Sequence, residues 1–152
     1  MLTAINNSKI DISSIESIKE LAEKFINHLG KGSIVFLYGE IGVGKTTFIK
    51  YFINKYQKNN NSKTTEVTSP TFNLLNEYKI NDLVIKHFDL YRLKNKSEIN
   101  NLGLFENSNE AITFIEWPEL VDKKNLLKSV KLIFSYENDH NNRFIKISGL
   151  AW

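Results

Sequence analysis

The residues Gly39-Glu40-Ile41-Gly42-Val43-Gly44-Lys45-Thr46 decide the fold of this chain, because they match the pattern G-x-x-x-x-G-K-[ST] at every fixed position. The apolar run at residues 33–38 precedes them and is typical of a buried strand. Residues 47–56 follow and place aromatic and isoleucine side chains on one face of a predicted helix. A helix start offers free backbone N–H groups and a partial positive charge, both of which suit a phosphate. The sequence therefore predicts a phosphate-binding loop.

The loop also predicts roles for two side chains. Lys45 is expected to reach the β- and γ-phosphates of a nucleotide, and the Thr46 hydroxyl is expected to bind Mg²⁺. We expect the Lys45 side chain to be exposed when no nucleotide is bound. On its own, this loop indicates a nucleoside triphosphatase or kinase and does not distinguish between them.

Length and composition narrow the possible classes of protein. The 152 residues predict a single domain spanning residues 1–152. The net charge is only +3, and Arg92 and Arg143 are the only arginines, so autonomous nucleic-acid binding is disfavoured. The chain has no cysteine, which excludes disulfides and thiolate metal sites. Without a signal-peptide pattern or a membrane-spanning apolar run, the sequence predicts a cytoplasmic protein.

Two carboxylates are candidates for the acidic partner of the metal. Residues 111–115 form an apolar run, typical of a strand buried on both faces in a parallel sheet, and Glu116 follows it. Asp89 ends the second arm of a predicted β-hairpin, which pairs residues 73–80 with 83–88. Ligands bind at the carboxyl ends of strands in open α/β sheets, and by pattern Glu116 is the better candidate. Trp117 follows it, either as a core residue or beside the nucleotide.

The remaining segments predict the rest of an α/β fold. A helix is expected from Ile15 to Leu29, with Ser13 and Glu16 at capping-box spacing and Gly30 as its stop. A short strand is expected at residues 66–68, followed by a turn over Ser69-Pro70-Thr71-Phe72 that is either plain or a γ-phosphate sensor. We expect a short helix near residues 97–102, strands at 129–136 and 143–148 with a turn over 137–142, and a structural role for His87.

Four segments, in this order, resemble the bacterial TsaE family of small P-loop ATPases. They are residues 39–47, Thr68-Ser69-Pro70-Thr71-Phe72, His87-Phe88-Asp89-Leu90-Tyr91-Arg92-Leu93 and Ile115-Glu116-Trp117-Pro118-Glu119. The resemblance covers nearly the whole chain and implies a P-loop NTPase fold: a mostly parallel central sheet with antiparallel additions, flanked by helices. It also implies ATP and Mg²⁺ as cofactors. The implied function is ATP hydrolysis in the threonylcarbamoyladenosine modification of tRNA, with TsaD and TsaB as partners and tRNA contacted only indirectly.

The resemblance implies a role for each matching residue. Thr46 and Glu116 would hold Mg²⁺, and Asp89 would lie near the γ-phosphate as a base, water-positioner or indirect metal partner. Ser69 and Thr71 would form a switch-like segment, and Trp117 would border the nucleotide. The ATP phosphates would contact Gly39, Glu40, Ile41, Gly42, Val43, Gly44, Lys45, Thr46 and Thr47. One departure is Ile18, with Ser17 beside it, where many members of the family carry a threonine near the base.

Two other functions remain as alternatives. A small-molecule or nucleotide kinase shares the P-loop, but kinases of this kind clamp phosphates with several arginines. A non-hydrolysing, ATP-dependent assembly factor would use nucleotide binding to control docking. For the ATPase, Arg92 is either an internal arginine finger or a surface residue, and we expect slow hydrolysis that partners stimulate.

Overall fold

The chain forms a mixed α/β fold around one sheet, and the computed structural model describes residues 9–70, 72–123 and 129–149. The sheet has seven strands: β1 (Lys9–Asp11), β2 (Ile34–Tyr38), β3 (Leu75–Ile80), β4 (Leu83–Asp89), β5 (Ala111–Glu116), β6 (Ser129–Glu137) and β7 (Asp139–Ser148). The α-helices are α1 (Ile15–Lys24), α2 (Lys45–Asn59) and α3 (Lys96–Asn100), and 3-10 turns lie at Phe25–Asn27 and Ser108–Glu110.

The strand order is β1-β7-β6-β2-β5-β4-β3. Strands β6, β2, β5 and β4 run parallel to their neighbours in the middle of the sheet. The antiparallel pairs lie towards the two edges, where β7 joins β6 and β1 on one side and β3 joins β4 on the other. This arrangement confirms the predicted α/β class with a mostly parallel centre and antiparallel additions.

Apolar residues cover both faces of the parallel strands. On one face, α1 and α2 pack against β2 and β5, with Phe52 of α2 and Phe114 of β5 in edge contact at 5.2 Å between ring centroids. On the other face, residues of α3 and the loops around it pack against Phe36 of β2 and Ile115 of β5. Every residue of β5 is buried, as predicted for a central parallel strand.

Helix α1 begins at Ile15, as predicted, but its capping residue differs from the capping-box pattern. Ser14, rather than Ser13, is the N-cap, and its Oγ accepts a hydrogen bond of 3.1 Å from the Ser17 N–H. The Ser13 hydroxyl is used elsewhere, since it accepts a 3.0 Å bond from the backbone N–H of Arg143 on β7. The α-helix ends at Lys24 and continues as the 3-10 turn, so the prediction of a regular helix to Leu29 was too long.

Predictions elsewhere in the chain met mixed outcomes. The hairpin is confirmed, with Asn81 at φ 55° in the turn between β3 and β4. The short helix is confirmed as α3, which begins one residue earlier and ends two residues earlier than predicted. The strand expected at residues 66–68 is wrong, because this segment pairs with no strand and contacts β3 through a side chain, from Asn76 Nδ2 to Thr68 O at 3.2 Å.

The last hairpin and the first strand also differ from the prediction. The turn expected over residues 137–142 is much shorter, because β6 runs to Glu137, β7 begins at Asp139, and Asn138 turns the chain at φ 66°. Strand β1, which was not predicted, pairs with β7 at the sheet edge. No helix within the described ranges is both long and apolar enough to cross a membrane.

The packing predicts a large difference between two phenylalanines. Phe52→Ala should lower the free energy of unfolding by about 3–5 kcal/mol, because Phe52 is fully buried and its loss leaves a cavity. Phe72→Ala is the matched control and should change it by less than about 0.5 kcal/mol, because the Phe72 side chain is 83% exposed. Urea denaturation curves of both variants measure the difference. Similar losses in the two variants would contradict this packing.

Candidate functional site

The loop between β2 and α2 has a backbone that requires glycine at its pattern positions. Gly39 has φ 142°, and a Cβ atom there would lie 2.8 Å from the Phe134 carbonyl oxygen. Gly44 has φ 120° and is the N-cap of α2. Because Gly44 has no capping side chain, no side-chain oxygen of the cap occupies the first N–H groups of this 15-residue helix. These N–H groups are oriented to receive an anion.

Three parallel strands deliver their carboxyl ends to this loop. Leu37 of β2 is in register with Glu116 of β5, which is in register with Asp89 of β4. Backbone bonds continue past the strand ends, from Trp117 N–H to Leu37 O at 3.3 Å and from Leu90 N–H to Glu116 O at 3.1 Å. The predicted loop and the two predicted carboxylates therefore lie together at the carboxyl ends of the central parallel strands.

A cavity of about 210 Å³ lies between the loop and these strand ends. Its lining unites most of the predicted site residues: Ile41, Gly42, Gly44, Lys45, Thr46, Thr47, Ser69, Asp89, Glu116 and Trp117. Glu40 and Val43 were also predicted to contact phosphate. The Glu40 side chain is exposed and the Val43 side chain is buried in the core, so these two residues can contribute only backbone N–H groups to the site. Thr71 lies outside the described residues, and its role stays a prediction.

The Lys45 side chain is buried, so the expectation that it is exposed without a nucleotide was wrong. Only 4% of the residue is exposed, its ammonium donates a hydrogen bond to the Gly39 carbonyl, and Nζ lies 3.7 Å from the centroid of the Trp117 ring. Burial lowers the pKa of Lys45, and the negative charges of Glu116, Asp89 and Glu119 partly oppose that effect. The ammonium thus uses a carbonyl and an aromatic face as its partners.

The Glu116 carboxylate contacts two other side chains through the same oxygen atom. Its Oε2 accepts a 2.9 Å hydrogen bond from the Thr46 hydroxyl and lies 2.6 Å from Nε2 of His87. Both Glu116 and His87 are buried. Because Thr46 gives its only hydroxyl proton to Glu116, both lone pairs of its oxygen remain available to a cation.

Asp89 is held by a separate set of hydrogen bonds. Its Oδ2 accepts from the Ser69 hydroxyl, and its Oδ1 accepts a 3.0 Å bond from the Tyr91 N–H. The Asp89 side chain therefore links the segment that begins at Ser69 to the end of β4 through a hydrogen bond. Among the described contacts, Thr46 is bonded to Glu116 and not to Asp89. The ranking of the two carboxylates for the metal stays a prediction.

Trp117 has an unusual backbone that the sequence did not reveal. Its φ is 58°, in the left-handed region, where a bulky side chain is rare and costs about 1–3 kcal/mol. The ring packs against Tyr91 at 4.8 Å between centroids, and it covers the Lys45 ammonium. The strained turn at the end of β5 thus directs the indole over the loop, beside the cavity.

The two arginines are both engaged with the backbone. Arg92 donates a 3.0 Å bond from Nη2 to the Phe72 carbonyl, and its guanidinium lies 5.3 Å from the centroid of the Phe72 ring. Arg143 donates a 3.0 Å bond to the Ser13 carbonyl, and its Nη1 lies near Gly44, 3.9 Å from where a Cβ would be. Sequence reasoning assigned no role to Arg143, because only the sheet order brings β7 beside the loop.

The donor set fits Mg²⁺ better than a metal held by protein ligands alone. Within the described residues no three histidine, aspartate or glutamate side chains cluster as a metal site. A hydroxyl and a carboxylate beside a loop with this glycine-rich sequence match the oxygen ligands that Mg²⁺ takes while it keeps several waters. Thr46 and Glu116 are therefore the residues suited to this ion.

Fold and loop together place the chain among the α/β proteins that carry a P-loop sequence between a central parallel strand and the following helix. A family model described as "Threonylcarbamoyl adenosine biosynthesis protein TsaE" matches residues 12–145. The chain belongs to the TsaE family.

Individual proteins agree with this assignment. The tRNA threonylcarbamoyladenosine biosynthesis protein TsaE of Rickettsia bellii is 43% identical over 115 residues, which cover 76% of this chain and 77% of that protein. The protein of the same name from Aquifex aeolicus is 30% identical over 91% of this chain and 94% of its own length. The crystal structure of Bacillus subtilis YdiB matches the fold with a TM-score of 0.71 at 23% identity, over 94% of this chain and 85% of that one.

The contact between Lys45 and Trp117 predicts a fluorescence signal. If a phosphate draws the ammonium away from the indole, ADP should change the Trp117 emission, and Trp117→Phe should abolish the change. The only other tryptophan, Trp152, lies outside the described residues and serves as the internal reference in that variant. Titration of both proteins with ADP measures the effect. A change that persists in Trp117→Phe would place the sensor elsewhere.

Proposed function

We propose that the chain binds ATP with Mg²⁺ and hydrolyses it in the biosynthesis of threonylcarbamoyladenosine in tRNA, acting with TsaD and TsaB. Membership of the TsaE family and the names of the relatives support the place in this biosynthesis. The single observation that carries the nucleotide chemistry is the cavity in which the loop at residues 39–46 faces Glu116 and Asp89. tRNA enters the proposal only through the partner proteins.

Phosphate binding is the first step of the proposal. The uncapped start of α2 supplies N–H donors and the positive end of the helix dipole. Lys45 supplies a mobile charge, which must leave the Gly39 carbonyl and the Trp117 ring to reach a phosphate. A nucleotide therefore replaces two weak partners of a desolvated ammonium with a strong one.

Thr46 and Glu116 are the residues that we propose to hold Mg²⁺. Bound Mg²⁺ neutralises charge on the phosphates of the nucleotide. Thr46 offers lone pairs because its proton is donated to Glu116, and Glu116 keeps a fixed orientation because His87 and Thr46 hold it. The remaining coordination positions belong to water and phosphate oxygens.

Asp89 is the proposed water-positioning residue. It lines the same cavity, and its two oxygens are fixed by Ser69 and by the Tyr91 N–H. A carboxylate held in this way can accept a hydrogen bond from water and orient it for in-line attack. Ser69, with Thr71, forms the proposed switch-like segment, so a movement of that segment would reach Asp89 directly.

Exposed apolar residues in the loop and in the segments that follow Ser69 and Asp89 support a partner-dependent mechanism. Ile41 in the loop is 65% exposed, and Phe72 and Tyr91 are 83% and 52% exposed. The Tyr91 ring contacts Trp117, which lines the cavity, and the Phe72 ring lies against the Arg92 guanidinium. Exposed apolar surface beside a site is typical of interaction surfaces. A protein that covers them would contact the loop and the segment that Arg92 ties down.

The kinase alternative is weakened by the arginines. A phosphate-clamping lid needs free guanidinium groups, and both Arg92 and Arg143 are bonded to backbone carbonyls in this structure. The non-hydrolysing assembly factor shares every binding feature with the ATPase. Phosphate release is therefore the measurement that separates these two functions.

The two carboxylates should fail in different ways. Glu116→Gln should raise the Mg²⁺ concentration that gives half-maximal hydrolysis by about 10- to 100-fold. ADP binding without metal should change little. Asp89→Asn should lower turnover while the Mg²⁺ concentration for half-maximal activity stays the same. Metal titrations of phosphate release, with calorimetry of ADP in EDTA, measure both effects. Equal losses of ADP binding and hydrolysis in Glu116→Gln would mean that Glu116 is structural.

Partner dependence should appear in the rate of phosphate release. Both arginines of the isolated protein are bonded to backbone carbonyls, and a missing arginine finger costs roughly 10³–10⁵ in rate. We expect slow basal release and much faster release with a TsaD–TsaB complex. Because Arg92 is bonded to the Phe72 carbonyl, Arg92→Ala should keep the basal rate.

The control for this experiment is Lys45→Ala, which should lose activity with and without partners and so reports contaminating ATPases. Full-speed hydrolysis by the isolated wild-type protein, unaffected by partners, would refute the partner-dependent mechanism. A reduced basal rate in Arg92→Ala would instead identify Arg92 as the internal finger. Absence of release under every condition would favour the assembly factor.

A further inference from the structure

His87 is a buried polar residue next to the site, and the nucleotide chemistry described above assigns it no contact with ligand. It lies on β4, two residues before Asp89, and it is fully buried. Its Nε2 lies 2.6 Å from Oε2 of Glu116 on the neighbouring strand. No hydrogen-bond partner for its Nδ1 is found within the described residues. A histidine placed only for packing would not require this contact, which links it to a proposed Mg²⁺ residue.

The pair has one arrangement that satisfies its donors. A proton on Nδ1 would be buried without an acceptor among the described residues, which is costly. A proton on Nε2 is donated to Glu116 across the short contact. His87 therefore acts as a hydrogen-bond donor to the carboxylate, and its engaged Nε2 is not available as a metal ligand.

This donor restricts the orientation of Glu116. Its Oε2 receives two hydrogen bonds, one from His87 and one from Thr46, and the two donors come from different elements, β4 and α2. Two directional bonds hold the carboxylate plane more firmly than one. Without His87, the Glu116 carboxylate would have one donor fewer and could rotate away from Thr46. The Thr46 hydroxyl would then lose the acceptor that fixes the direction of its proton and lone pairs.

We propose that His87 is a positioning residue for the Mg²⁺ site: it orients the Glu116 carboxylate, which in turn orients the Thr46 hydroxyl. This inference rests on the proposed function, since it requires that the site binds Mg²⁺ with a nucleotide. Partners of this kind, which touch a metal-site residue and not the metal, contribute about 10- to 100-fold to metal affinity.

The test compares side chains that place a donor at different points. In His87→Gln the amide nitrogen lies near the position of Nε2, whereas in His87→Asn it lies near the position of Nδ1. Both amides are polar and neutral, so a general effect of burying an amide acts on both. His87→Leu removes the donor altogether. Thr113→Val is the matched control, because Thr113 is buried on β5 and its hydroxyl has no partner among the described residues.

The measurement is ADP affinity by calorimetry, in EDTA and at increasing Mg²⁺, with thermal unfolding of each variant recorded without ligand. For His87→Leu and His87→Asn, we expect the Mg²⁺ concentration that gives half of the metal effect to rise by about 10- to 100-fold. ADP affinity in EDTA should stay close to that of the wild type. His87→Gln should recover most of the Mg²⁺ effect, and Thr113→Val should behave as the wild type.

Each result decides between this inference and the others. Wild-type Mg²⁺ dependence in His87→Leu, or equal behaviour of the Gln and Asn variants, would overturn the positioning role and leave the proposed function intact. If His87→Leu does not fold, the Gln and Asn pair decides alone. A wild-type protein whose ADP affinity is indifferent to Mg²⁺ would overturn the proposed Mg²⁺–nucleotide function, and this inference with it.

Discussion

The hydrogen bond from Thr46 to Glu116 is the interaction on which the site depends, because it joins the start of α2 to the end of β5. The P-loop can present its N–H groups to one point only if α2 begins where the parallel strands end. The register of Leu37 with Glu116, and of Glu116 with Asp89, brings the loop and both carboxylates to one edge. A single contact of 2.9 Å thus relates the helix, the sheet and the proposed metal position.

Burial at this edge gives each polar contact more weight than it would have in water. Glu116, His87 and Lys45 are all buried. Hydrogen bonds and charges in such surroundings are stronger, and unpaired groups are more costly. This explains why the side chains are tied to one another in the structure, as Asp89 is to Ser69 and Glu116 is to Thr46. Under the proposed function, Lys45 must therefore exchange its present partners for a phosphate.

The sequence predicted the loop, the central strands and the position of both carboxylates, because these depend on local patterns and on where parallel strands end. It could not predict contacts that need the third dimension. The His87 side chain contacts Glu116 on the neighbouring strand, and the Arg143 guanidinium lies near Gly44 because of where β7 joins the sheet. The cap shifted from Ser13 to Ser14 for the same reason: a distant strand competes for the Ser13 hydroxyl.

The burial of Lys45 bears on the affinity for the nucleotide that we propose. Its ammonium already has the Gly39 carbonyl and the Trp117 ring, so binding gains only the difference between those partners and a phosphate. The Trp117 backbone at φ 58° stores strain in the residue that covers this charge. A movement of Trp117 that relieves the backbone strain would also release the ammonium, because the ring that covers the ammonium belongs to the strained residue. Conformation at the end of β5 and charge in the loop are therefore coupled through one side chain.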